Sequence, residues 1–264
     1  MKQRVAFAIL LLWIVAALLE SLLPISPNEI HLSAILAAPS ADFWLGNDGL
    51  GRSVAERLIA GARIAFVVAF STVFVSALAG TVIGAVSGYT GGALDHLVSR
   101  VIDIMLAFPG ILLAIALAAI LGPGIENLII AISSVGWVGY ARLARSQAMS
   151  LRTRDHITAA VALGSGQGRI VFRHLLPLMM APLLVEASFG LAAVIVAEAG
   201  LSFLGLGVQP PQASWGSMIR EGAGFLLVAP HLAFFPGIAI MLVVLSANLL
   251  GDWMRDRLDV RQNL

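Results

Sequence analysis

The sequence predicts an all-α integral membrane protein with six transmembrane helices. Three observations carry that expectation. Of the 264 residues, 59% are hydrophobic and only 12% charged, a composition that calls for a bilayer as solvent. Six apolar stretches reach or approach the roughly 20 residues that cross about 30 Å of hydrocarbon as a helix. Between them lie segments rich in glycine, proline and arginine, which read as turns and membrane-surface loops.

The first span, Val5–Leu23, has no convincing small-residue cleavage site after it, and five more spans follow, so it reads as a retained anchor. Past Pro24, the stretch Leu45-Gly46-Asn47-Asp48-Gly49-Leu50-Gly51-Arg52 is turn-rich. Ser53-Val54-Ala55-Glu56 then has capping-box spacing for a short helix running to Gly61. Arg57 and Arg63 are expected to anchor that helix at the membrane surface. The second and third spans are Ile64–Ser87 and Val101–Leu121. The fourth, Ile125–Tyr140, is the shortest and has Glu126 at its start. A basic, Gly-punctuated insert (142–177) separates it from the fifth span, Leu178–Ala199. An external loop (200–231) leads to the sixth, Leu232–Leu250. The chain thus divides into an N-terminal helix with an external elbow (1–63), a five-helix core (64–250) and a tail (251–264).

Charge sets the orientation. With both termini in the cytoplasm, twelve basic residues fall inside and only Arg52, Arg57, Arg63 and Arg220 outside, the asymmetry that the positive-inside rule requires. The net charge of +1 says little about partners. No nucleic-acid partner is expected, and membrane lipid is the expected surrounding.

Several chemistries are excluded by absence. There is no cysteine, hence no disulfide, thiol catalysis or Cys-based metal site. The five histidines are scattered without i,i+4 pairing, so no metal site is expected. Lys2 is the only lysine, which rules out a phosphate-binding loop ending in Gly-Lys-Ser/Thr. No Gly-x-Ser-x-Gly elbow is present. The chain is therefore expected to be non-catalytic and to bind no cofactor.

Ionisable residues within spans are functional candidates because burying them in lipid is costly. Asp103 is expected to pair with Arg100 or to cap a neighbouring helix. Glu186 is the better candidate for facing a water-filled cavity. Glu198 either borders a solute path or ties down the Gly-rich turn that follows it.

The most telling residues lie in the basic insert, from Asp155-His156-Ile157-Thr158-Ala159-Ala160 through Leu163-Gly164 to His174-Leu175-Leu176-Pro177. As a helix from Thr153, it stacks Ala160 on Gly164 and Ala159 on Leu163, giving a small apolar face flanked by arginines. Such a face suits docking into a groove. Close helix packing alone would also account for an Ala-Gly pattern.

The insert resembles the cytoplasmic coupling loop of bacterial ABC importer permeases: Glu-Ala-Ala, three residues, Gly, nine residues, then Ile-x-Leu-Pro. Ala159, Ala160, Gly164, Leu176 and Pro177 stand in that register, while Thr158 takes the acidic place and His174 the isoleucine place. The external stretch from Leu45 resembles the Leu-Gly-Thr-Asp-x-x-Gly-Arg-Asp and Arg-Leu-x-x-Gly-Ala-Arg signatures of C-type subunits of dipeptide, oligopeptide and nickel importers, with Asn47 and Ser53 departing. The string Glu198-Ala199-Gly200-Leu201-Ser202-Phe203-Leu204-Gly205-Leu206-Gly207, with Pro210-Pro211 and Ser214-Trp215-Gly216, closely resembles a third signature of those subunits. In that string Gly205 and Gly207 are expected to break the fifth helix, and Trp215 to sit at headgroup level.

The resemblance implies the type I ABC importer permease fold with a cytoplasmic coupling helix, in the bacterial inner membrane. It further implies half of a translocation path for dipeptides or oligopeptides, completed by a second, homologous permease. Two cytoplasmic ATPase subunits would bind ATP and Mg²⁺, and an external binding protein would deliver the solute. Thr158, Ala159, Ala160, Leu163, Gly164, Leu176 and Pro177 would form the ATPase-docking loop. Glu186, Glu198, Phe203, Gly205, Gly207 and Trp215 would line the path or an external gate. The same machinery could carry nickel complexes, glutathione or another small solute. A self-sufficient secondary carrier is disfavoured by the lack of inverted repeats and buried charge pairs.

Overall fold

The computed structural model describes residues 2–258. Those residues form ten α-helices and several single turns: α1 (Lys2–Leu19), α2 (Val54–Thr90), α3 (Gly92–Leu106), α4 (Gly110–Leu121), α5 (Ile125–Leu151), α6 (Asp155–Ala162), α7 (Gln167–Arg169), α8 (Leu176–Phe203), α9 (Trp215–Ala223) and α10 (His231–Leu258). A π-helical segment, Ile170–Leu175, joins α7 to α8. Five helical stretches are long and apolar enough to cross a membrane, and the bent pair α3–α4 makes a sixth if counted as one span.

Four boundaries differ from the sequence expectation. The short elbow helix and the second span are one helix of 37 residues, about 55 Å long at 1.5 Å per residue. No helix breaker separates Gly61 from Ile64, so nothing ends the first turns before the apolar run begins. The third span is broken: α3 and α4 meet at 87°. Pro109 explains the break, because it lacks an N–H and pushes Phe108 out of helical geometry. The fourth span runs on to Leu151. The sixth passes Leu250 to Leu258, so the first part of the expected tail is helix; residues 259–264, with Arg261, lie outside the described residues.

The centre of the bundle is the contact between α2 and α5. Gly80, Gly84 and Gly88 recur every four residues and so form one stripe on α2. A Cβ at Gly84 would collide with the backbone of Ala141, and one at Gly80 or Gly88 with the backbone at Trp137 or Arg145. The two backbones approach as closely as glycine allows, the contact that holds helices together where lipid offers no hydrophobic drive. Ala141, Ala144 and Ala148 of α5 are fully buried. Arg145 closes this end by pairing with Asp95 of α3 (2.5 and 2.7 Å).

Ser53 caps α2 by accepting from the Glu56 N–H. The reciprocal half of the box is not made, because the Glu56 carboxylate accepts from Ser26 N–H at 2.9 Å and ties the loop after α1 to the start of α2. Trp13 of α1 donates its indole N–H to Ala62 O at 3.1 Å.

Replacing Gly84 by leucine is expected to destabilise the protein by about 1–3 kcal/mol or more, the usual cost of overpacking a tight contact. Gly237→Ala, where a Cβ meets nothing within 4 Å, is expected to be neutral or mildly stabilising. Thermal unfolding of both variants in detergent checks this; equal midpoints for the two would remove the α2–α5 contact from its central place.

Candidate functional site

Within the basic insert a separate short helix, α6, is set between the end of α5 and the short α7 that leads into the π segment. Its inner face carries Ile157 and Ala160, at 0% and 9% exposure. Ile157 joins a cluster with Leu151, Ile170, Val171, Leu175 and Met179. Its outer face is bare. Thr158, Ala159, Val161 and Ala162 are exposed, and Leu163 is 88% exposed. Thr158 Oγ1 donates to Asp155 O at 2.8 Å, a local bond that occupies the hydroxyl at the position of the family's acidic residue.

Gly164 ends the helix. Its φ is 81°, its N–H donates to Val161 O at 2.9 Å, and Ser165 N–H donates to Ala160 O at 3.0 Å. That pair of bonds is a Schellman stop, which favours glycine because a Cβ is strained at positive φ. The expectation that Ala160 and Gly164 share one smooth docking face is thereby corrected. Ala160 packs inward, Gly164 is the cap, and the outward apolar residues are Ala159, Val161, Ala162 and Leu163. Beyond the π segment, Leu176 is half-buried and Pro177 exposed. With no N–H to return to the preceding turn, Pro177 provides a reason for the widened helix just before it.

On the opposite side the two glycine-rich segments form a knot. In the loop before α2, Asp48 Oδ1 accepts from the backbone N–H groups of Leu50 (2.9 Å) and Arg52 (3.0 Å). Its Oδ2 pairs with Arg52 Nε at 2.6 Å and Arg57 Nε at 3.5 Å. Both arginines also reach Glu221 of α9, at 2.9 and 3.3 Å. Two acids and two bases thus tie the loop, the start of α2 and α9 together. Arg57 is 1% exposed, so it does not anchor the elbow at the membrane surface as expected. Its charge is matched inside the protein.

Trp215 is likewise 3% exposed, so its ring packs inside the protein and is not presented to a headgroup layer as expected. Its indole N–H donates to Leu58 O at 2.9 Å, and a Cβ on Gly61 would lie 2.7 Å from the indole ring. Gly205 does break the polypeptide after α8, with φ 83°. Gly207 lies so close to Ser202 that a Cβ would collide with its backbone. Glu198 is buried and accepts from Ser202 Oγ at 2.7 Å, which ties it to this turn. Phe203 is exposed.

A cavity of about 800 Å³ opens among α2, α4, α5, α8 and α10. Glu186 stands in its wall with Ser76, Tyr140 and Asn248, among residues that are otherwise apolar or glycine. Of the six residues expected to line a path or gate, only Glu186 stands in the wall of this cavity; Glu198, Phe203, Gly205, Gly207 and Trp215 belong to the turn after α8 and its supports. Asp103 is exposed and forms no ion pair with Arg100 among the described residues; the pair at that end is Asp95 with Arg145. No group of three or more His, Asp or Glu that could hold a metal ion occurs among the described residues.

Sequence reasoning did not single out Tyr140, Ser76, Asp48 or Glu221. For Glu221 no local signal exists, since its partners Arg52 and Arg57 lie more than 160 residues away in the chain; Asp48, by contrast, pairs with Arg52 only four residues on. The Gly80-Gly84-Gly88 spacing was the available signal for the α2–α5 contact, and α5's own small residues complement it.

Comparison with known proteins accords with this geometry. The model of the family "Binding-protein-dependent transport system inner membrane component" matches residues 80–263. The dipeptide transport system permease protein DppC of Alkalihalophilus pseudofirmus is 45% identical over 231 residues, covering 88% of this chain and 76% of that protein. The glutathione transport system permease protein GsiD of Escherichia coli O6:K15:H31 is 41% identical over 260 residues, covering 98% and 86%. A solved structure of the MetNI methionine ABC transporter in an inward-facing conformation superposes with a TM-score of 0.62 at 18% identity, over 76% of this chain and 95% of that one. That last likeness concerns the fold.

Removing Asp48, at 6% exposure, leaves Arg52 and Arg57 facing each other with a single acid. Asp48→Ala is expected to cost about 3–5 kcal/mol, the usual result of breaking a buried pair. Arg63→Ala removes a bond to Glu20 made by a side chain that is 51% exposed and should cost less than about 1 kcal/mol. Unfolding midpoints of the two variants in one detergent give the comparison.

Proposed function

This chain belongs to the family of binding-protein-dependent transport system inner membrane components, and from that premise we propose that it forms half of the translocation path of an ATP-driven importer of dipeptides or oligopeptides. The observation that carries the proposal is α6. Its inner face is locked into a buried cluster while its outer face leaves Leu163 88% exposed. A rigid stub with a bare apolar face serves to receive a push from another subunit. ATP binding and hydrolysis in that subunit would then bias the bundle between two arrangements.

The chain itself has no phosphate-binding loop, because its only lysine is Lys2. ATP and Mg²⁺ therefore belong to two cytoplasmic ATPase subunits, one of which docks on α6. A second, homologous permease supplies the other half of the path, and an external binding protein delivers solute to the side that carries the Asp48–Glu221 knot. The DppC relative supports a dipeptide as cargo. Glutathione is the second reading, supported by a relative that matches 98% of this chain. The basic residues of the insert and the termini support a reading in which both ends of the chain lie on the cytoplasmic side of a bacterial inner membrane.

Leu163→Asp puts a charge into the proposed docking contact without touching the core. Co-purification of the ATPase subunits with this variant is expected to fall about tenfold or more, a loss of about 1.4 kcal/mol or more, while membrane insertion is unchanged. Full recovery of ATPase and full uptake would make α6 a mere connector. Orientation is checked separately in this cysteine-free chain. Gln167→Cys is expected to react with an impermeant thiol reagent only after the membrane is opened, and Asp42→Cys in intact spheroplasts. Labelling of both from outside would overturn the assignment of the termini.

A further inference from the structure

The cavity wall contains polar groups that nothing among the described residues satisfies. The Glu186 carboxylate makes no ion pair and no side-chain hydrogen bond among the described residues. No lysine, arginine or histidine lines the cavity with it. Ser76 Oγ and Tyr140 Oη are buried without a partner, in residues 2% and 4% exposed. An unpaired carboxylate at the depth of a membrane-spanning helix is costly, and so is a buried hydroxyl without a bond.

All three groups have had room cleared around them. A Cβ at Gly136 would lie 2.7 Å from Ser76 Oγ, and one at Gly139 would lie 3.0 Å from Glu186 Oε1. One at Gly190 would collide with Tyr140 Oη. Glycine at each of three positions on α5 and α8 therefore leaves a polar atom unobstructed by side chain. Close backbone packing does not require this. In the α2–α5 stripe the glycines meet chiefly backbone and alanine or tyrosine Cβ atoms, whereas here they meet the polar tips of side chains.

We propose that this cavity is a solute subsite specific for an ammonium group, with Glu186 as its counter-charge and the Ser76 and Tyr140 hydroxyls as partners for the adjoining polar atoms. The proposal rests on the importer reading and names the chemistry its cargo must carry. A carboxylate with no competing cation attracts a positive group strongly in surroundings of low dielectric. The apolar remainder of the wall accepts side chains of varied shape without selecting among them. At about 800 Å³ the cavity is in the size range of small-molecule sites. An α-ammonium is common to a dipeptide with a free N-terminus and to glutathione, so the same subsite serves either cargo.

The test uses the assembled importer in liposomes, with its partner permease, ATPases and binding protein. ATP-driven uptake of dialanine and of glutathione is measured at limiting concentration and divided by the complex recovered. Binding of dialanine and N-acetyl-dialanine to the importer is measured without the binding protein. Wild type should bind dialanine at least about tenfold more tightly than its acetylated form. Glu186→Gln should abolish that preference and lower uptake about tenfold, and Glu186→Asp should restore part of both. If Glu186→Gln cannot be recovered, Tyr140→Phe combined with Ser76→Ala carries the test, with uptake expected to fall at least threefold. Wild type that takes up peptide or glutathione while Glu186→Gln retains rate and preference overturns the subsite alone. Wild type that takes up neither solute overturns the importer reading, and the subsite with it.

Discussion

The close approach of α2 and α5 is the constraint on which the remaining structure depends. In a bilayer the chain gains nothing by hiding leucine from lipid, so helices must be held by dense packing and polar contacts. Three glycines on α2 bring the two backbones together near Trp137, Ala141 and Arg145. With α5 fixed along α2, the rest acquires a frame. Arg145 reaches Asp95 on α3, Arg152 reaches Gly88 O, and the end of α5 presents Ala148 and Leu151 to the cluster that seats α6.

The two ends of the bundle are built differently. On one side, the Asp48–Arg52–Arg57–Glu221 network and the bond from Trp215 to Leu58 O lock loops onto helices. Charges there are matched within the chain and largely withheld from solvent, an arrangement expensive to open because each partner removed strands another. On the other side, α6 hangs between α5 and α8 by Ile157 and Ala160 and leaves its remaining face unmatched. Under the proposed coupling, that incomplete end is where the ATPase subunit would dock.

Much of this was legible in the sequence. Composition and span lengths gave the all-helical membrane class, and Pro109 stood where the third span breaks, although span length alone treated that segment as straight. Gly205 was legible as a breaker, but Gly164 was read as part of a helix face and not as its stop, and the face on which Ala160 lies was not legible, because a helix of eight residues can turn either side to its neighbours. Arg57 and Trp215 were misplaced for one reason. Each has an amphipathic form that suits a membrane surface, and only long-range partners, Glu221 and Leu58 O, decide for the interior. Glu186 was readable as a charge within a span, but the hydroxyls of Ser76 and Tyr140 beside its cavity come from helices remote in sequence.

One helix joins the bare end to the cavity. From Leu176, where α8 begins beside the cluster that seats α6, to Glu186 is ten residues of helix, about 15 Å at 1.5 Å per residue. Between them Pro182 removes one backbone bond, and before them the π segment widens the joint. Both features loosen the helix along its axis at the end nearest α6, whereas the far end of α8 is held by the close fit of Gly216 of α9 against Ala199. A load applied at α6, as in the proposed coupling, would therefore enter α8 at its loosened end. Glu186 lies between that end and the Gly216 contact, so such a load would reach its part of the cavity wall before the held end of the helix.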